Sequence, residues 1–288
     1  MNGRRLVTIG HGYSAGFLTR RLVREGWTVT GTTRKSAADV AAAGAEPLVW
    51  PGEDDRLRAD LARADAILLS VPPGADGDPV LRALGDAIAA SPAGWIGYLS
   101  TTGVYGDRAG GWVDEGSDLV PTTERGRQRV AAEAGWRALA TARGLPLHIF
   151  RLAGIYGPGS GPFEKIRKGT ARRIVKPGQV FSRIHAEDIA QVLAASIARP
   201  HPGVVYNVCD DDPAPPQDVI AHAARLIGVP VPPAQDYDTA EMTPMARSFY
   251  AESKRVRNDR IKDELGVRLL HPDYRAGLAA ILAAEAPA

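Results

Sequence analysis

The stretch that decides the fold is Leu6-Val7-Thr8-Ile9-Gly10-His11-Gly12-Tyr13-Ser14-Ala15-Gly16, close to the start of the 288-residue chain. A short apolar run ends there in glycines, and apolar residues then recur at helical spacing over Phe17–Val23. This order predicts a strand, a tight turn and a helix. Gly10 permits the turn, and Gly12 lets the backbone approach a ligand because neither carries a side chain.

The beginning of the predicted helix suits a phosphate group. Its unpaired N–H groups and the positive end of its dipole both favour an anion, so Tyr13 and Ser14 are expected beside the pyrophosphate of a dinucleotide. Ala15 fills the third position of the glycine fingerprint, with Gly16 just after it, and helix–strand packing needs only a small residue there. A second strand over Trp27–Thr32 follows at the spacing of a βαβ unit, which favours a dinucleotide site over a glycine turn that merely packs.

The end of the second strand indicates which dinucleotide is bound. An NAD site usually has an acidic residue about 20 residues after the glycines, where it binds the ribose 2′-hydroxyl. The stretch Trp27–Ala38 contains no acid and offers Thr33, Arg34 and Lys35 instead. A guanidinium matches the oxygens of a 2′-phosphate, so we predict that NADP(H) is preferred over NAD(H), through Arg34 with Thr33 beside it. The alternative is a solvated Arg-Lys pair at a helix start.

Strand and helix patterns alternate up to about residue 153. The run Ala66–Val71 is apolar apart from Ser70, as buried parallel strands are, and Trp95–Ser100 and Leu147–Leu152 are also predicted to be strands. We therefore predict an α/β protein with a Rossmann-type, doubly wound parallel sheet. Ser70 and Pro72 close the fourth strand, where the adenine side of the cofactor site is expected.

Beyond residue 153 the predicted elements are shorter and mixed. We expect a single subunit in which residues 1–153 mainly form the NADP-binding core. Residues 154–288 mainly form a small C-terminal substrate lobe, with some elements returning to the core. The proline-rich stretch Val229–Pro244 is predicted to be a surface excursion.

Composition excludes several classes of protein. The net charge of +2 gives no reason to expect nucleic acid, and no apolar run is long enough to span a membrane. The single cysteine, Cys209, excludes an internal disulfide framework. Asp210–Asp212 are better explained by capping and solvation than by a cation, and the histidines show no ligand spacing, so no metal site is expected. Because the first strand begins almost at once, no signal peptide fits, and we expect a cytoplasmic protein with a small-molecule substrate.

Four stretches carry a family resemblance. Leu99–Gly106 (LSTTGVYG) resembles an extended short-chain dehydrogenase/reductase of the NAD-dependent epimerase/dehydratase kind. Arg151–Gly159, Arg183–Ala190 and Val205–Val208 resemble the same family and follow in its order. The closing segment, which begins with Ser253–Val256, resembles an atypical bacterial subgroup often labelled YeeZ-like.

The resemblance implies a catalytic set of a Ser or Thr, a Tyr and a Lys. In the family, the hydroxyl orients the substrate, the tyrosine exchanges a proton, and the lysine tunes the phenol towards neutral pH and holds the ribose. Thr101 falls on the hydroxyl position. Alignment through Gly126 puts Arg125 on the tyrosine and Arg129 on the lysine. Arg129 can still bind ribose or phosphate, whereas Arg125 cannot exchange a proton near neutrality because a guanidinium does not titrate there.

Three interpretations stay open. The protein is an oxidoreductase or epimerase with another acid/base, for which Tyr105, Tyr156 and His185 are the nearest candidates by family position. An unperturbed histidine has a suitable pKa for that role. Alternatively, the protein is a non-catalytic NADP(H)-binding regulator or redox sensor, or an enzyme that needs the nucleotide only as a structural part.

The resemblance also indicates the substrate and the assembly. Basic residues crowd the segment after Pro162, where relatives build the substrate lobe, and in nucleotide-sugar enzymes such residues meet a diphosphate. We expect Arg172, Arg173 and Arg183 to bind a polar, sugar-like or phosphorylated substrate, the alternative being a solvated basic helix face. Family members commonly dimerise through two helices, and the helix predicted over Glu124–Arg143 is a candidate for a homodimer contact.

Overall fold

The computed structural model describes residues 3–34 and 37–285 and contains one large parallel sheet with helices on both faces. The strands are β1 (Arg5–Ile9), β2 (Thr28–Thr33), β3 (Glu46–Val49), β4 (Ala66–Leu69), β5 (Trp95–Thr101), β6 (Trp112–Val113), β7 (Leu147–Leu152), β8 (Gly154–Tyr156), β9 (Arg173–Val175), β10 (Arg183–His185), β11 (Val205–Val208), β12 (Ala234–Asp236) and β13 (Arg255–Val256).

Helices alternate with these strands along the chain. They are α1 (Tyr13–Arg24), α2 (Ala37–Ala42), α3 (Asp54–Leu61), α4 (Pro79–Ala89), α5 (Glu124–Arg143), α6 (Pro162–Arg167), α7 (Ala186–Ala198), α8 (Pro216–Leu226), α9 (Pro244–Phe249), α10 (Asp259–Asp263) and α11 (Tyr274–Glu285). A 3₁₀ turn over Thr102–Tyr105 follows β5 directly.

The central sheet has the order β11-β7-β5-β4-β1-β2-β3, and every neighbouring pair is parallel. The predicted Rossmann-type, doubly wound fold is therefore confirmed. The strand order reverses between β1 and β4, which opens a crevice beyond their carboxyl ends. Such a crevice is where ligands of open α/β sheets bind.

Two apolar layers cover the sheet. Helices α1, α2 and α7 pack on one face through side chains such as Leu18, Val40 and Ile189. Helices α3, α4 and α5 pack on the other face through side chains such as Leu84 and Trp136. Strands buried on both faces favour apolar residues at successive positions, which explains the continuous apolar run of β4.

The chain after residue 153 builds a lobe and also returns to the core. Strand β11 forms one edge of the central sheet, and α7 packs against α1. The lobe has its own apolar cluster, to which α6, α8 and α11 contribute. The stretch Val229–Pro244 is not only a surface excursion, because β12 lies within it and pairs in parallel with β9. That pairing joins segments about 60 residues apart, which the local sequence pattern does not reveal.

A buried ion pair ties α5 to the sheet. The side chains of Arg151 and Glu133 are 3% and 2% exposed, and two bonds join them, Nε to Oε1 at 3.1 Å and Nη2 to Oε2 at 2.7 Å. Ser100 also donates to Oε1, and Arg151 donates to the Tyr105 hydroxyl at 3.0 Å. That hydroxyl donates to Asn207 Oδ1 at 2.6 Å. One network therefore joins α5, β5, β7, β11 and the 3₁₀ turn.

In the described ranges 3–34 and 37–285, no helix is both long enough and apolar enough to cross a membrane.

We predict that Arg151→Met lowers the free energy of unfolding by about 3–5 kcal/mol, because it leaves Glu133 charged and buried without its partner. Urea unfolding measures the change. Replacing both members by apolar residues, Arg151→Met with Glu133→Leu, is expected to recover part of the loss. The control is Arg127→Met, which breaks an exposed pair with Glu124 and costs at most about 1 kcal/mol. A loss for Arg151→Met no larger than the control contradicts the prediction.

Candidate cofactor and substrate site

The turn after β1 can be built only with glycine at position 10. Gly10 has a φ of +89°, and a Cβ there would lie 2.8 Å from Val71 Cγ2 and 2.9 Å from Val71 N. The Gly10 N–H donates to Thr32 Oγ1, and Ser70 Oγ donates to the Gly10 carbonyl, both at 2.7 Å. Ser70 therefore supports the turn from the end of β4, next to the expected cofactor site.

The N-terminus of α1 is open to a ligand. Its N-cap, Gly12, makes no side-chain capping bond, and a Cβ on Gly12 would meet nothing within 4 Å. The first turn of α1 carries no acidic residue, so no side chain offsets the positive end of the dipole. Ser14 and Gly16 follow as buried residues of this turn. Free N–H groups, an unopposed dipole and space above Gly12 fit a pyrophosphate.

Tyr13 connects the glycine-rich turn to the lobe. Its hydroxyl donates to the Pro158 carbonyl at 2.9 Å, and a Cβ on Gly157 would lie 2.6 Å from that hydroxyl. Burial, with Glu164 nearby, raises the pKa of Tyr13 to about 12. The side chain thus fastens the loop after β8 to α1.

His11 fills the space between the turn and β2. Its Nε2 lies 2.9 Å from Thr19 Oγ1, and a Cβ on Gly31 would come within 2.6 Å of the imidazole ring. Burial lowers the pKa of His11, so the ring is neutral near pH 7. Thr33, the last residue of β2, is half-buried, and Arg34 after it is exposed. Lys35, the other member of the predicted basic pair, lies outside the described residues.

A cavity of about 1000 Å³ lies between the sheet's carboxyl edge and the lobe. It brings together seven of the residues that the sequence singled out, namely Pro72, Thr101, Arg125, Arg129, Tyr156, Arg172 and Arg183. Among the described residues of its wall, six are cationic and two are acidic: Arg125, Arg129, Lys165, Arg172, Arg183 and Lys254 against Glu241 and Glu252. Its electrostatic character is therefore that of an anion site.

The first turn of α5 lies directly on the end of β5. A Cβ on Gly126 would be 2.9 Å from the Gly103 carbonyl, so only glycine permits this approach. Thr101 caps the 3₁₀ turn, accepting from the Gly103 N–H at 3.1 Å, which leaves its hydroxyl proton free to donate. Arg125 is exposed in the first turn of α5 and lines the cavity.

Arg129 is held one turn further along α5. Its Nη1 donates to the Leu99 carbonyl at 2.7 Å and to the Tyr98 hydroxyl at 3.1 Å. These bonds fix a permanent positive charge beside the end of β5, on the cavity wall.

Two of the predicted catalytic residues face elsewhere. Tyr105 is fully buried, and its hydroxyl is engaged by Arg151 and Asn207. His185 is 1% exposed and caps α7, where its Nδ1 accepts from the Glu187 N–H at 3.3 Å. Burial and the neighbouring His271 lower the pKa of His185 to about 4. The described cavity wall contains neither residue. Position in a family alignment carries no information about this burial.

Tyr156, the remaining candidate acid, lies at the cavity wall with its hydroxyl turned away. It donates to the Asp273 carbonyl at 3.3 Å, and a Cβ on Gly277 of α11 would lie 2.1 Å from its oxygen. Burial raises the pKa of this phenol strongly. The hydroxyl therefore serves the packing of α11.

His185, Asp188 and His271 bring possible metal-ligand atoms within 4.8 Å of one another. Asp188, however, accepts from the N–H groups of Leu270 at 2.7 Å and His271 at 3.0 Å. His271 Nε2 lies 2.8 Å from a Glu187 carboxylate oxygen. These bonds fasten the chain before α11 to the beginning of α7.

Capping and solvation do not explain Asp210. The residue is 2% exposed, and burial raises its pKa to about 8, against the effect of nearby Arg183. Its neighbours Asp211 and Asp212 do lie at the surface, each 2.7 Å from a cation, Lys262 and Arg275 respectively. The three consecutive acids therefore occupy different environments, which composition alone does not distinguish.

The predicted basic group of the lobe is divided by a strand. Helix α6 ends at Arg167, Arg173 begins β9 and Arg172 directly precedes that strand, so the alternative of a basic helix face does not describe them. Arg172 lines the cavity, whereas Arg173 is absent from its described wall. Arg172 donates to the Glu241 carbonyl. Arg183 donates through Nη1 to two backbone carbonyls, at 2.8 and 2.9 Å.

Sequence reasoning gave no role to two cavity residues, Glu252 and Lys254. Glu252 directly precedes Ser253–Val256, the segment that resembles the bacterial subgroup, and Lys254 lies within it. The resemblance was the available signal, but nothing local in the sequence relates this segment to Thr101.

Comparison with known proteins finds relatives that are similar to this chain in sequence. No protein-family model matches it. The Escherichia coli K12 protein YeeZ is 29% identical over 288 residues, which cover 94% of this chain and 97% of YeeZ. A 3-diazoavenalumate denitrifying reductase from Streptomyces is 28% identical over 162 residues, about half of each protein.

Several solved structures are similar to this chain over nearly its whole length. A functionally unknown conserved protein from Silicibacter pomeroyi is 61% identical, with a TM-score of 0.92 over 98% of this chain and 99% of its own. A dTDP-glucose 4,6-dehydratase from Bacillus anthracis, in complex with NAD, is 14% identical with a TM-score of 0.78, covering 98% of this chain and 96% of its own. Human epimerase family protein SDR39U1, with NADPH, is 19% identical with a TM-score of 0.73, covering 96% of this chain and 98% of its own.

The structural neighbours are members of the NAD-dependent epimerase/dehydratase family, the extended short-chain dehydrogenases/reductases, and this chain shares their architecture. The chain is a homologue of YeeZ. The predicted resemblance is thereby confirmed.

We predict that Gly12→Asp separates stability from cofactor binding. An aspartate at the N-cap caps α1 and matches the dipole, so the melting temperature does not fall. The same carboxylate repels a pyrophosphate, and NADPH affinity is expected to drop by roughly 100-fold, measured by titration calorimetry. Gly12→Ser is the control that caps without charge. Equal NADPH affinity in Gly12→Asp and the wild type contradicts the assignment of this helix end.

Proposed function

We propose that the protein binds NADP(H) and acts as an oxidoreductase or epimerase on a polar, negatively charged small molecule. The observation that supports the proposal is the position of two features relative to the central sheet. The open N-terminus of α1 and the cation-lined cavity with Thr101 share the carboxyl edge of one parallel sheet. A dinucleotide with its pyrophosphate on α1 would reach along that edge towards Thr101.

The preference for NADP(H) rests on Arg34. The neighbouring structures carry NAD in one case and NADPH in another, so the fold itself accepts either cofactor. Arg34 stands exposed just beyond β2, where a 2′-phosphate would meet its guanidinium. A charge-assisted bidentate contact of this kind favours the phosphate over a hydroxyl.

We expect Arg34→Gln to weaken NADPH binding by roughly 10–100-fold and to leave NADH binding unchanged, since only the phosphate uses the guanidinium. Titration calorimetry with each cofactor measures the change. Arg24→Gln, in the last turn of α1, is the matched control. If the wild type binds NADH and NADPH equally, the preference does not exist.

The substrate class follows from the cavity's charge. An excess of cations over acids favours a ligand with a carboxylate or phosphate, sugar-like or phosphorylated in the nucleotide-sugar enzymes that share the fold. Arg172 and Arg183 lie on the lobe side, where a substrate held against the sheet would meet them. The reductase from Streptomyces supports a reductive reaction within this group of relatives.

The proposed roles use groups fixed by the fold. When bound, the nicotinamide supplies or removes a hydride. The Thr101 hydroxyl donates to the substrate oxygen and orients it, because its lone pair already accepts from Gly103. Arg129 binds the ribose and adds positive charge where negative charge develops. Arg125 provides charge but no proton. Tyr105 and His185, which are buried away from the cavity, are left out of this set.

We expect Thr101→Val to reduce NADPH oxidation by roughly 100-fold with a mixed bacterial metabolite extract as the source of substrate, while NADPH affinity stays the same. Loss of NADPH absorbance measures the rate, and calorimetry measures the affinity. Thr28→Val, at the exposed start of β2, is the control. Undiminished oxidation in Thr101→Val contradicts the role of this hydroxyl.

A second candidate function is a non-catalytic NADP(H)-binding regulator or redox sensor. The observation that favours it is Arg125, which occupies the place of the family's tyrosine and cannot transfer a proton near neutrality. Tight NADPH binding by the wild type with no oxidation in any extract supports this candidate over the enzyme.

A further inference from the structure

One charged pair on the cavity wall has no role in the function proposed above. Glu252 and Lys254 both line the cavity, and each side chain is only 11% exposed. Lys254 Nζ lies 2.6 Å from Glu252 Oε2. Placing a lysine and a glutamate so far from water costs free energy, which their pairing offsets in part. The pair therefore places a proton-bearing ammonium group on the wall of a ligand cavity.

The backbone holds Lys254 in place. The Ser253 N–H donates to Asp107 Oδ1 at 2.7 Å, and the Ser253 hydroxyl donates to the Gly178 carbonyl at 3.2 Å. The same hydroxyl accepts from the Val180 N–H at 3.2 Å. Strand β13 begins directly afterwards and pairs with β6. The lysine therefore stands on a clamped segment, as proton transfer to a bound substrate requires.

Hydrogen bonds lead from this pair to the beginning of α5. Glu252 Oε1 accepts from Thr122 Oγ1 at 2.6 Å. Thr122 precedes Thr123, the N-cap of α5, and Arg125 lies in the first turn of the same helix. The Glu252–Lys254 pair thus adjoins the segment in which the family places its proton-donating tyrosine.

Resting on the proposed function, we propose that Lys254 is the proton donor to the substrate and that Glu252 holds its ammonium group in position. The Nζ ammonium gives one proton to the oxygen of a substrate carbonyl as the carbonyl carbon receives hydride, and a neutral amine remains. Solvent water returns the proton to Nζ. An ammonium group can lose a proton in this way, whereas the guanidinium of Arg125 cannot.

The first test is spectroscopic and needs no substrate. Lysine labelled with ¹³C at Cε reports each ammonium group in the full-length protein, and Lys254→Arg identifies the Lys254 signal by its loss. NADP⁺ is expected to move this signal, and by more than NADPH does, because only the oxidised ring adds a positive charge nearby. The signal of Lys262, which pairs with Asp211 at the surface, is the internal control and stays unchanged.

Parallel titration of tryptophan fluorescence separates the possible outcomes. Cofactor binding with an unmoved Lys254 signal overturns the assignment of Lys254 and leaves the proposed cofactor intact. No cofactor binding at all overturns both.

The second test is kinetic and distinguishes proton donation from a structural role. With the active metabolite fraction as substrate, Lys254→Met is expected to lower kcat by roughly 100-fold or more with KM nearly unchanged. Glu252→Gln is expected to lower kcat with KM nearly unchanged, and by less than Lys254→Met does, because the amide oxygen still accepts a hydrogen bond from the ammonium group. Lys254→Arg, which keeps the charge and can pair with Glu252, controls for folding through its melting temperature. A Lys254→Met variant that keeps kcat, or that only raises KM, overturns the proposal.

Discussion

The site depends on the buried ion pair between Glu133 and Arg151. It joins the middle of α5 to β7, and through Ser100 it reaches the strand that ends at Thr101. Because both charges are out of water, either one alone would be strongly unfavourable, so α5 and β5 are held in one relative position. That position sets where Thr101, Arg125 and Arg129 stand around the cavity. The same network engages Tyr105, which explains why this tyrosine is a structural member and not a group facing a ligand.

A second constraint acts at the other end of the proposed cofactor site. The turn at Gly10 presses against Val71, and this close approach leaves the N-terminus of α1 facing the crevice between β1 and β4. The fold therefore presents a positive helix end and a cation-lined cavity along one sheet edge. Tyr13 bridges them by holding the lobe loop at Pro158. A dinucleotide is the kind of ligand that extends between such features.

The parts that sequence could predict are those fixed by local chemistry. Alternating apolar strands and helical patterns predict the parallel sheet, and helix α5 begins and ends at the expected residues. The glycines that the turn after β1 requires indicate where an anion would bind. The structure of the lobe could not be predicted in the same way, because its strands pair across long stretches of chain and the β9–β12 pair has no local pattern. The burial of His185 and Asp210 could not be predicted either, because it comes from segments that fold over them. Lys254 meets Thr122 through Glu252 across more than 100 residues, a contact that only the tertiary structure brings about.

The central claim is that a nicotinamide dinucleotide lies along this edge with its reactive ring in the cavity. A crystal structure of the NADP⁺ complex tests it most directly. The account predicts the pyrophosphate on the N–H groups of Tyr13 and Ser14, in the space above Gly12, and the nicotinamide ring in the cavity, between Thr101 and Arg129. A pyrophosphate bound elsewhere, or a ring lying outside the cavity, would contradict the account.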